Sequence, residues 1–196
     1  MFVQVIEGKC NDPDALHERM ETWQKDVMPG AIGYLGSTGG VTSSGDCIMI
    51  ARFESEEAAR RNSDRPEQGA WWEQTERCFT GPVTFHDSTD VHVMRECESD
   101  DAHFVQVMEG HVDDVAKAHD FEDRAAPMLA QRRPDLMGSL TAYHGNDFTR
   151  VAYFSDEAAA REGEKNAPPE EFATEMTDLM RVERYLDLRD PWMVSA

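Results

Sequence analysis

A short segment occurs twice in the chain, and this repeat constrains the fold more than any other feature. Residues 2–8 read FVQVIEG and residues 104–110 read FVQVMEG, so the two segments differ at a single position. Two further pairs of segments follow in the same order: 53–60 (FESEEAAR) with 154–161 (FSDEAAAR), and 85–87 (FHD) with 185–187 (YLD). Ordered matches at nearly constant spacing indicate a tandem duplication of one unit of about a hundred residues.

Each copy has the residue pattern of a β-α-β-β-α-β unit. Residues 2–7 alternate as a strand does, and Asp12 followed by proline is typical of a helix start. Ser55 with two glutamates behind it predicts the second helix, and residues 82–91 are predicted as the last strand. The predicted organisation is a first repeat at 1–91, a polar linker at 92–102 and a second repeat at 103–196.

The duplication also predicts how the chain completes its core. A four-stranded sheet with helices on one face leaves the other face bare, and the nearest partner for that face is the twin sheet. We therefore predict an α+β fold in which two tandem ferredoxin-like units form one intramolecular barrel of the dimeric α+β type. This pseudo-dimer leaves further homo-oligomer formation open.

Composition excludes several classes of partner. The chain carries 39 acidic and 19 basic residues, a formal net charge of −20. Such a surface repels phosphate backbones and anionic lipids, so we expect no nucleic-acid partner and no membrane partner. The chain has no apolar run of about 18 residues, and its first residues read as a strand rather than a signal peptide, which predicts a cytoplasmic location. Its four cysteines and seven histidines show no ligand spacing, so no metal site is expected.

The repeated opening strands, the helix start at 53–60 and the segment 62–72 (NSDRPEQGAWW) resemble the antibiotic biosynthesis monooxygenase-like proteins of the dimeric α+β barrel superfamily. The tandem form is similar to actinobacterial proteins of that group, and the resemblance covers nearly the whole chain. It implies cofactor-free oxidation of phenolic polyketides. Haem-degrading members use an Asn, a Trp and a His in one pocket. Here Gln4 lies in the first strand and no His follows Trp72, which argues against haem degradation.

Segment 62–72 is the candidate substrate site. Neighbouring helix residues lie about 100° apart, so Trp71 and Trp72 cannot both face the core, and one of them could wall a pocket. Asn62 and Arg65 could supply hydrogen bonds at the same helix break, and Tyr34 could line the pocket from the Gly-rich strand. The alternative is a helix-break motif that only locks two helices together.

Gln4 and Gln106 occupy the same place in the two copies. We include Gln4 among the candidate substrate contacts, although a structural hydrogen bond between sheets is the alternative for both glutamines. The Gly-rich run at 36–40 lies within a predicted strand. It predicts a place where a helix or a ligand approaches closely.

His86 is the candidate catalytic residue. Histidine is the usual general base near neutral pH. Cofactor-free oxygenation needs such a base, because a phenol or enol must lose a proton before its anion reduces dioxygen in a pocket that excludes water. Leu186 occupies the equivalent place in the second copy, so the fold does not require histidine there. The alternative is a solvated or barrel-interior histidine.

Two functional hypotheses follow. The first is a cofactor-independent, monooxygenase-like enzyme that acts on a small aromatic metabolite of phenolic or polyketide type. The second is a non-catalytic small-molecule-binding or stress-associated α+β barrel protein. Because both adjacent tryptophans and His86 lie in the first repeat, we expect that repeat to hold the better pocket. An open pocket there favours the enzyme, and a filled one favours the alternative.

Overall fold

The computed structural model describes residues 1–95 and 102–195. It divides into two compact units, one formed by Met1–Thr89 with Pro191–Ala196 and the other by Asp90–Asp190. Each unit contains one five-stranded antiparallel sheet. The predicted α+β fold with two tandem ferredoxin-like units is confirmed.

The first unit follows the predicted element order. Its elements are β1 (Phe2–Lys9), α1 (Pro13–Thr22), β2 (Tyr34–Val41), β3 (Asp46–Phe53), α2 (Glu56–Ser63), α3 (Pro66–Thr75), β4 (Thr84–Ser88) and, from the end of the chain, β10 (Trp192–Ser195). Helix α1 continues as a π-helical turn over Trp23–Val27 and a 3₁₀ turn over Met28–Gly30. The strand order is β10-β2-β3-β1-β4.

The second unit repeats this plan. Its elements are β5 (Asp90–Met94), β6 (Phe104–Val112), α4 (Val115–Arg132), β7 (Leu136–His144), β8 (Asp147–Phe154), α5 (Glu157–Gly163), α6 (Glu170–Leu179) and β9 (Met180–Leu188). The strand order is β5-β7-β8-β6-β9, so β5 takes the edge position that β10 takes in the first unit.

The two edge strands depart from the sequence-based prediction. The strand predicted at 82–91 ends at Ser88, and Asp90–Met94 forms β5 in the sheet of the second unit. Residues 92–94, predicted as part of a linker, therefore lie in a strand, and 96–101 lie outside the described residues. Each sheet thus receives its fifth strand from the segment that follows the other repeat, an exchange that local residue patterns do not encode.

Equivalent local interactions recur in both repeats. Asp12 caps α1 by accepting a hydrogen bond from the Ala15 amide (3.0 Å), and Asp114 caps α4 by accepting one from the Lys117 amide (3.1 Å). From β1 to the bulge in β2, equivalent residues are 102 positions apart, as in Phe2 and Phe104, Asp12 and Asp114, and Gly36 and Gly138. This constant spacing allows the repeats to be compared residue by residue.

The Gly-rich strand β2 is closely approached by another strand, β10. Gly36 lies at the bulge with φ of +136°, and a Cβ there would come within 2.9 Å of the Val194 carbonyl oxygen in β10. Glycine is needed at this position because a side chain would collide with the edge strand.

The described cysteines Cys10, Cys47 and Cys78 are buried and unpaired, and Cys97 lies outside the described residues. Burial raises the pKa of each of the three thiols, that of Cys47 to about 12. They are small core residues rather than reactive thiols. In the part of the chain that the structure describes, no helix is both long and apolar enough to cross a membrane.

Candidate functional site

A cavity of about 180 Å³ lies in the second unit, between the helix-facing side of the sheet and helices α4 and α6. Most of its lining is apolar, and this surface includes Met94, Met108, Phe121, Met128, Phe172 and Met176. Polar side chains join the lining at a few points: Gln106, Glu122, Arg133, Ser139, Arg150 and Glu164. An apolar wall with a few convergent polar groups is the usual composition of a small-molecule site.

A wider cavity of about 600 Å³ adjoins the first and shares part of its lining, including Gln106, Met108 and Arg133. Tyr185 also lines the wider cavity, and its side chain is exposed. The two cavities therefore border each other, and the wider one reaches the surface beside Tyr185.

Glu122 lies at the centre of a buried polar cluster on the cavity wall. Its side chain is 6% exposed, and its carboxylate accepts hydrogen bonds from Thr141 Oγ1 and Tyr143 OH, both 2.7 Å. Arg150 Nη2 donates to the same carboxylate. Burial and the negative charge of Glu122 raise the pKa of Tyr143 far above its usual range, so the phenol remains a donor. A buried carboxylate is tolerated only with such partners.

Arg150 connects this cluster to the cavity. Its Nε donates to Thr141 Oγ1 at 3.0 Å, while Nη2 donates to Glu122 and also lies 3.6 Å from the Met180 sulfur. Its side chain retains 20% exposure and lines the enclosed cavity. One edge of the guanidinium is therefore fixed by the protein, and the group still borders the open space.

Two histidines lie beside the cluster, at the junction of β5 and α4. His92 Nε2 is 3.0 Å from Asp123 Oδ1, and its Nδ1 is 3.4 Å from the Glu122 carboxylate. His119 Nε2 is 2.7 Å from Asp90 Oδ1. Among the described residues, no group of three or more His, Cys, Asp or Glu side chains is arranged to hold a metal ion. These histidine–aspartate pairs tie the strand to the helix.

The first repeat places large aromatic side chains where the second has its cavity. Trp23 is equivalent to Ala125 and Tyr34 to Leu136, by the constant spacing of 102. The Trp23 ring packs edge-on against the Tyr34 ring at 4.9 Å, and Trp23 Nε1 donates to Gln68 Oε1 at 2.8 Å. The space between helix and sheet is filled in the first repeat at positions where the second leaves it open.

Trp71 and Trp72, two of the predicted site residues, differ in burial, as the helix geometry predicts. Trp71 is 9% exposed, and its Nε1 donates to the Arg19 carbonyl oxygen at 2.7 Å. Trp72 is partly buried, and its ring packs edge-on against Phe85 at 5.4 Å. Only one of the two therefore faces the core.

Asn62 and Arg65 form a helix-break contact. Asn62 is buried and accepts a hydrogen bond from Arg65 Nη1 at 2.9 Å, and Arg65 Nη2 donates to the Val27 carbonyl oxygen at 3.0 Å. This geometry matches the structural alternative considered for the segment. A role in substrate binding for Asn62, Arg65, Trp71 and Trp72 stays a prediction.

Tyr34 and Gln4 also make internal hydrogen bonds. The Tyr34 hydroxyl donates to Ser37 Oγ at 2.7 Å, and burial raises the pKa of Tyr34 to about 12. Gln4 Nε2 donates to Asp87 Oδ1 at 2.9 Å, and in the second repeat Gln106 makes the same bond to Asp187 at 3.0 Å. The repeated glutamine therefore joins neighbouring strands of one sheet. Ligand contacts by Tyr34 and Gln4 stay predictions.

His86 lies apart from the other predicted site residues. It pairs with Val5 in the register of β4 with β1, and its side chain is 44% exposed, with Nε2 3.8 Å from Glu7. Phe85, one residue earlier, packs against Trp72, and successive strand residues face opposite sides of a sheet. The structure therefore does not bring His86 to the helix-facing side of the sheet. Its catalytic role stays a prediction.

The cavity described here lies in the second repeat, whereas the sequence led us to expect the better pocket in the first. The prediction followed the adjacent tryptophans, but aromatic side chains fill space as readily as they wall it. A residue-by-residue comparison of the repeats would have found the signal, because Glu122 and Arg150 replace Met20 and Met49.

Comparisons with known proteins show the fold. No protein-family model and no curated protein sequence matches the chain. Among solved structures, a putative monooxygenase from Lactobacillus acidophilus NCFM matches 99% of both chains with a TM-score of 0.70 at 14% identity. A putative monooxygenase from Fusobacterium nucleatum matches 99% of this chain and 94% of its own, with a TM-score of 0.76 at 10% identity.

A third solved structure, an anthrone oxidase-like protein, matches 100% of this chain and 91% of its own with a TM-score of 0.66 at 10% identity. At these identities the likeness concerns the fold. The chain has the fold of the antibiotic biosynthesis monooxygenase-like proteins.

Proposed function

We propose that the protein is a cofactor-independent, monooxygenase-like enzyme that binds a small aromatic metabolite of phenolic or polyketide type in the cavity of the second repeat. The aromatic side chains that fill this space in the first repeat would by themselves favour the non-catalytic alternative, so the proposal depends on the composition of the cavity in the second repeat. Phe121 and Phe172 contribute aromatic walls, several methionines add adaptable apolar surface, and Glu122 with Arg150 contributes a polar end.

The size of the cavity limits the ligand. Its volume of about 180 Å³ lies below the roughly 300–1,000 Å³ typical of sites for drug-sized molecules. A single ring or a compact fused system suits the enclosed space. Substituents can extend into the wider cavity that ends near Tyr185.

The chemistry needs three things from the protein. The ligand must lose a proton from a phenol or an activated carbon, its anion must be stabilised while it transfers electrons to dioxygen, and water must be kept from the reactive intermediate. The apolar lining limits water in the smaller cavity, the polar end can stabilise negative charge, and the ligand's proton can pass to water in the wider cavity. The resemblance to an anthrone oxidase-like protein suggests an anthrone as the first substrate to test.

Ala125 provides a test designed from the other repeat. The equivalent residue in the first repeat is Trp23, so Ala125→Trp gives the second repeat the residue of the first, and the indole should fill the cavity. We expect wild type to convert an anthrone to the anthraquinone, with one atom of isotope-labelled dioxygen in the new carbonyl and the other in water. Ala125→Trp should lose at least about 90% of binding and turnover.

The matched control is Ala116→Trp, which makes the same substitution at an exposed position of the same helix. It should leave binding and turnover unchanged. If Ala125→Trp fails to fold, Ala125→Leu fills part of the same space and should weaken binding in proportion. Equal turnover in Ala125→Trp and wild type would exclude this cavity as the site. Binding without oxygen incorporation across phenols and anthrones would favour a non-catalytic binding protein.

The other features inferred from the sequence remain part of the proposal. We propose a small aromatic molecule as the ligand, with no nucleic-acid or membrane partner, because the net charge of −20 opposes both. A cytoplasmic location stays a prediction.

A further inference from the structure

The second repeat carries a charged cluster that its fold does not require. Glu122, Thr141 and Arg150 stand where the first repeat has Met20, Gly39 and Met49, as the strand registers and helix caps align. The first unit forms the same sheet and helices with those apolar residues. A buried ion pair is often no more stabilising than apolar residues of similar size, so a structural need does not explain the cluster.

We propose that Arg150 binds an anionic oxygen of the ligand, a phenolate or an enolate, and that Glu122 is the positioning residue that holds the guanidinium in place. This inference rests on the proposed function, since it names the chemical group that the second-repeat cavity recognises. It selects aromatic ligands with an ionisable oxygen over neutral aromatic hydrocarbons.

The hydrogen bonds of Arg150 support this assignment. Nε and Nη2 are engaged by Thr141 and Glu122. Nη1 makes no hydrogen bond to any of the described residues, although the side chain lines the cavity and is 20% exposed. Arg133, the other arginine of the enclosed cavity, is instead held by Asp135 through Nε and Nη2 and reaches the Ala160 carbonyl oxygen. Among the described residues Arg133 Nη1 likewise has no hydrogen-bond acceptor, but the Arg133 charge is paired bidentately with Asp135 and its guanidinium lies over the Phe154 ring. We assign the ligand contact to Arg150 because it belongs to the charged cluster that the first repeat replaces with apolar residues.

The charged groups around the cavity determine how strongly an ionised ligand is preferred over a neutral one. Other titratable or charged groups border the two cavities or touch the cluster: His92, Arg132, Arg133, Tyr143, Arg161, Glu164, Tyr185 and Asp187. Glu164 and Asp187 each accept a hydrogen bond from Arg161, and Glu122 already accepts three. Burial and Glu122 oppose ionisation of a phenol, as they do for Tyr143, so the preference for the phenolate depends on a direct hydrogen bond from Arg150 Nη1 to the ligand oxygen, which favours the ionised form. The phenol O–H bond breaks, its proton passes to water and the electron pair stays on oxygen.

The probe for this inference is 4-nitrophenol, whose neutral and ionised forms absorb light at different wavelengths. We expect wild type to bind the phenolate at least about tenfold more tightly than the phenol, which lowers the pKa of the bound probe by at least about one unit. The test variant is the double substitution Glu122→Met with Arg150→Met, which installs the residues of the first repeat. It should abolish the preference for the phenolate.

The matched control removes a different Arg–Glu pair, Arg124→Met with Glu175→Met, which bridges α4 and α6 on the surface. It should bind the probe as wild type does. If the first double variant melts below the assay temperature, Arg150→Gln keeps a donor towards Glu122 without the positive charge and must also abolish the preference. Arg150→Lys should restore part of it.

The outcomes separate this inference from the proposed function. Binding with equal affinity for both forms of the probe, unchanged in the variants, would refute the role of Arg150 while the cavity remained a binding site. A phenolate preference that survives in Arg150→Gln would also refute it. Failure of wild type to bind at any pH, with Ala125→Trp no different, would overturn both.

Discussion

The two repeats share their strands, caps and bulges and differ in what fills the space between helix and sheet. In the first repeat Trp23 and Tyr34 occupy that space, and their rings are 4.9 Å apart. In the second repeat Ala125 and Leu136 stand at the same positions and border a cavity of about 180 Å³. The same backbone plan thus carries packed aromatic rings in one copy at the positions that border a cavity in the other.

The two repeats also differ in the polar groups between helix and sheet. The cavity wall of the second repeat carries Glu122 and Arg150, and the first repeat has methionines at both positions. A duplicated chain needs only one site, and the other copy is then free to gain stability by filling its interior. The comparison teaches where to look for a site in a duplicated chain. Positions at which one repeat has a smaller or a charged residue in place of a larger apolar one are better candidates than the positions richest in aromatic residues.

The largest effect is expected when the aromatic filling of the first repeat is removed. Trp23→Ala deletes a large, partly buried ring that packs against Tyr34 and Trp71, so we expect a loss of about 3–4 kcal/mol in the free energy of unfolding, at the lower end for a core aromatic. The space it leaves should bind a small aromatic such as benzene or indole. Chemical denaturation and ligand-dependent melting measure both effects. A loss below about 1 kcal/mol would show that Trp23 does not fill the first repeat.

A somewhat smaller loss of stability is expected when Arg150 alone is replaced, and a smaller one still when Arg150 and Glu122 are replaced together. Arg150→Met alone leaves the buried Glu122 carboxylate without its cationic partner and should cost about 3 kcal/mol. The double variant with Glu122→Met leaves no unpaired charge, and the Thr141 and Tyr143 hydroxyls that lose their acceptor should limit its cost to about 1–2 kcal/mol. Urea denaturation of the single and double variants measures the difference. Equal losses in the two variants would show that the cluster is needed for folding, contrary to the comparison with the first repeat.

The smallest effect concerns alkaline stability at another pair of equivalent positions, Cys47 in the first repeat and Phe148 in the second. Burial raises the pKa of Cys47 from 9.0 to about 12. The unfolded thiol ionises first as pH rises, so the stabilising contribution is complete below about pH 9 and is lost as pH rises towards 12. At about pH 10 wild type should have lost about 1.4 kcal/mol more than Cys47→Ala, relative to neutral pH. Parallel stability curves for the two proteins would refute the assignment.

The prediction from sequence succeeded where the signal is local. The caps at Asp12 and Ser55 begin helices as predicted. It was wrong at the end of the strand predicted for 82–91, because the division at Thr89 depends on which sheet offers a free edge. An edge strand is chosen by long-range pairing rather than by its own pattern.

The candidate site shows the same limit. Asn62 and Arg65 were selected as unusual polar residues, yet the contact of Arg65 with Val27 joins residues 38 positions apart and satisfies its donor within the fold. The cluster of Glu122, Thr141 and Arg150 was not selected, because its members come from three separate elements and form no motif. Only folding brings them within hydrogen-bond distance.

The sequence by itself determined the duplication, the β-α-β-β-α-β order of each unit, the helix starts and the antibiotic biosynthesis monooxygenase-like fold, since these follow from local periodicity, capping and repetition. The tertiary structure decided which edge each fifth strand joins, which aromatic rings fill space, and where a cavity with Arg150 on its wall remains. The physical reason is that burial and hydrogen-bond satisfaction depend on residues distant in sequence, so a side chain's role is fixed only when its partners are in place.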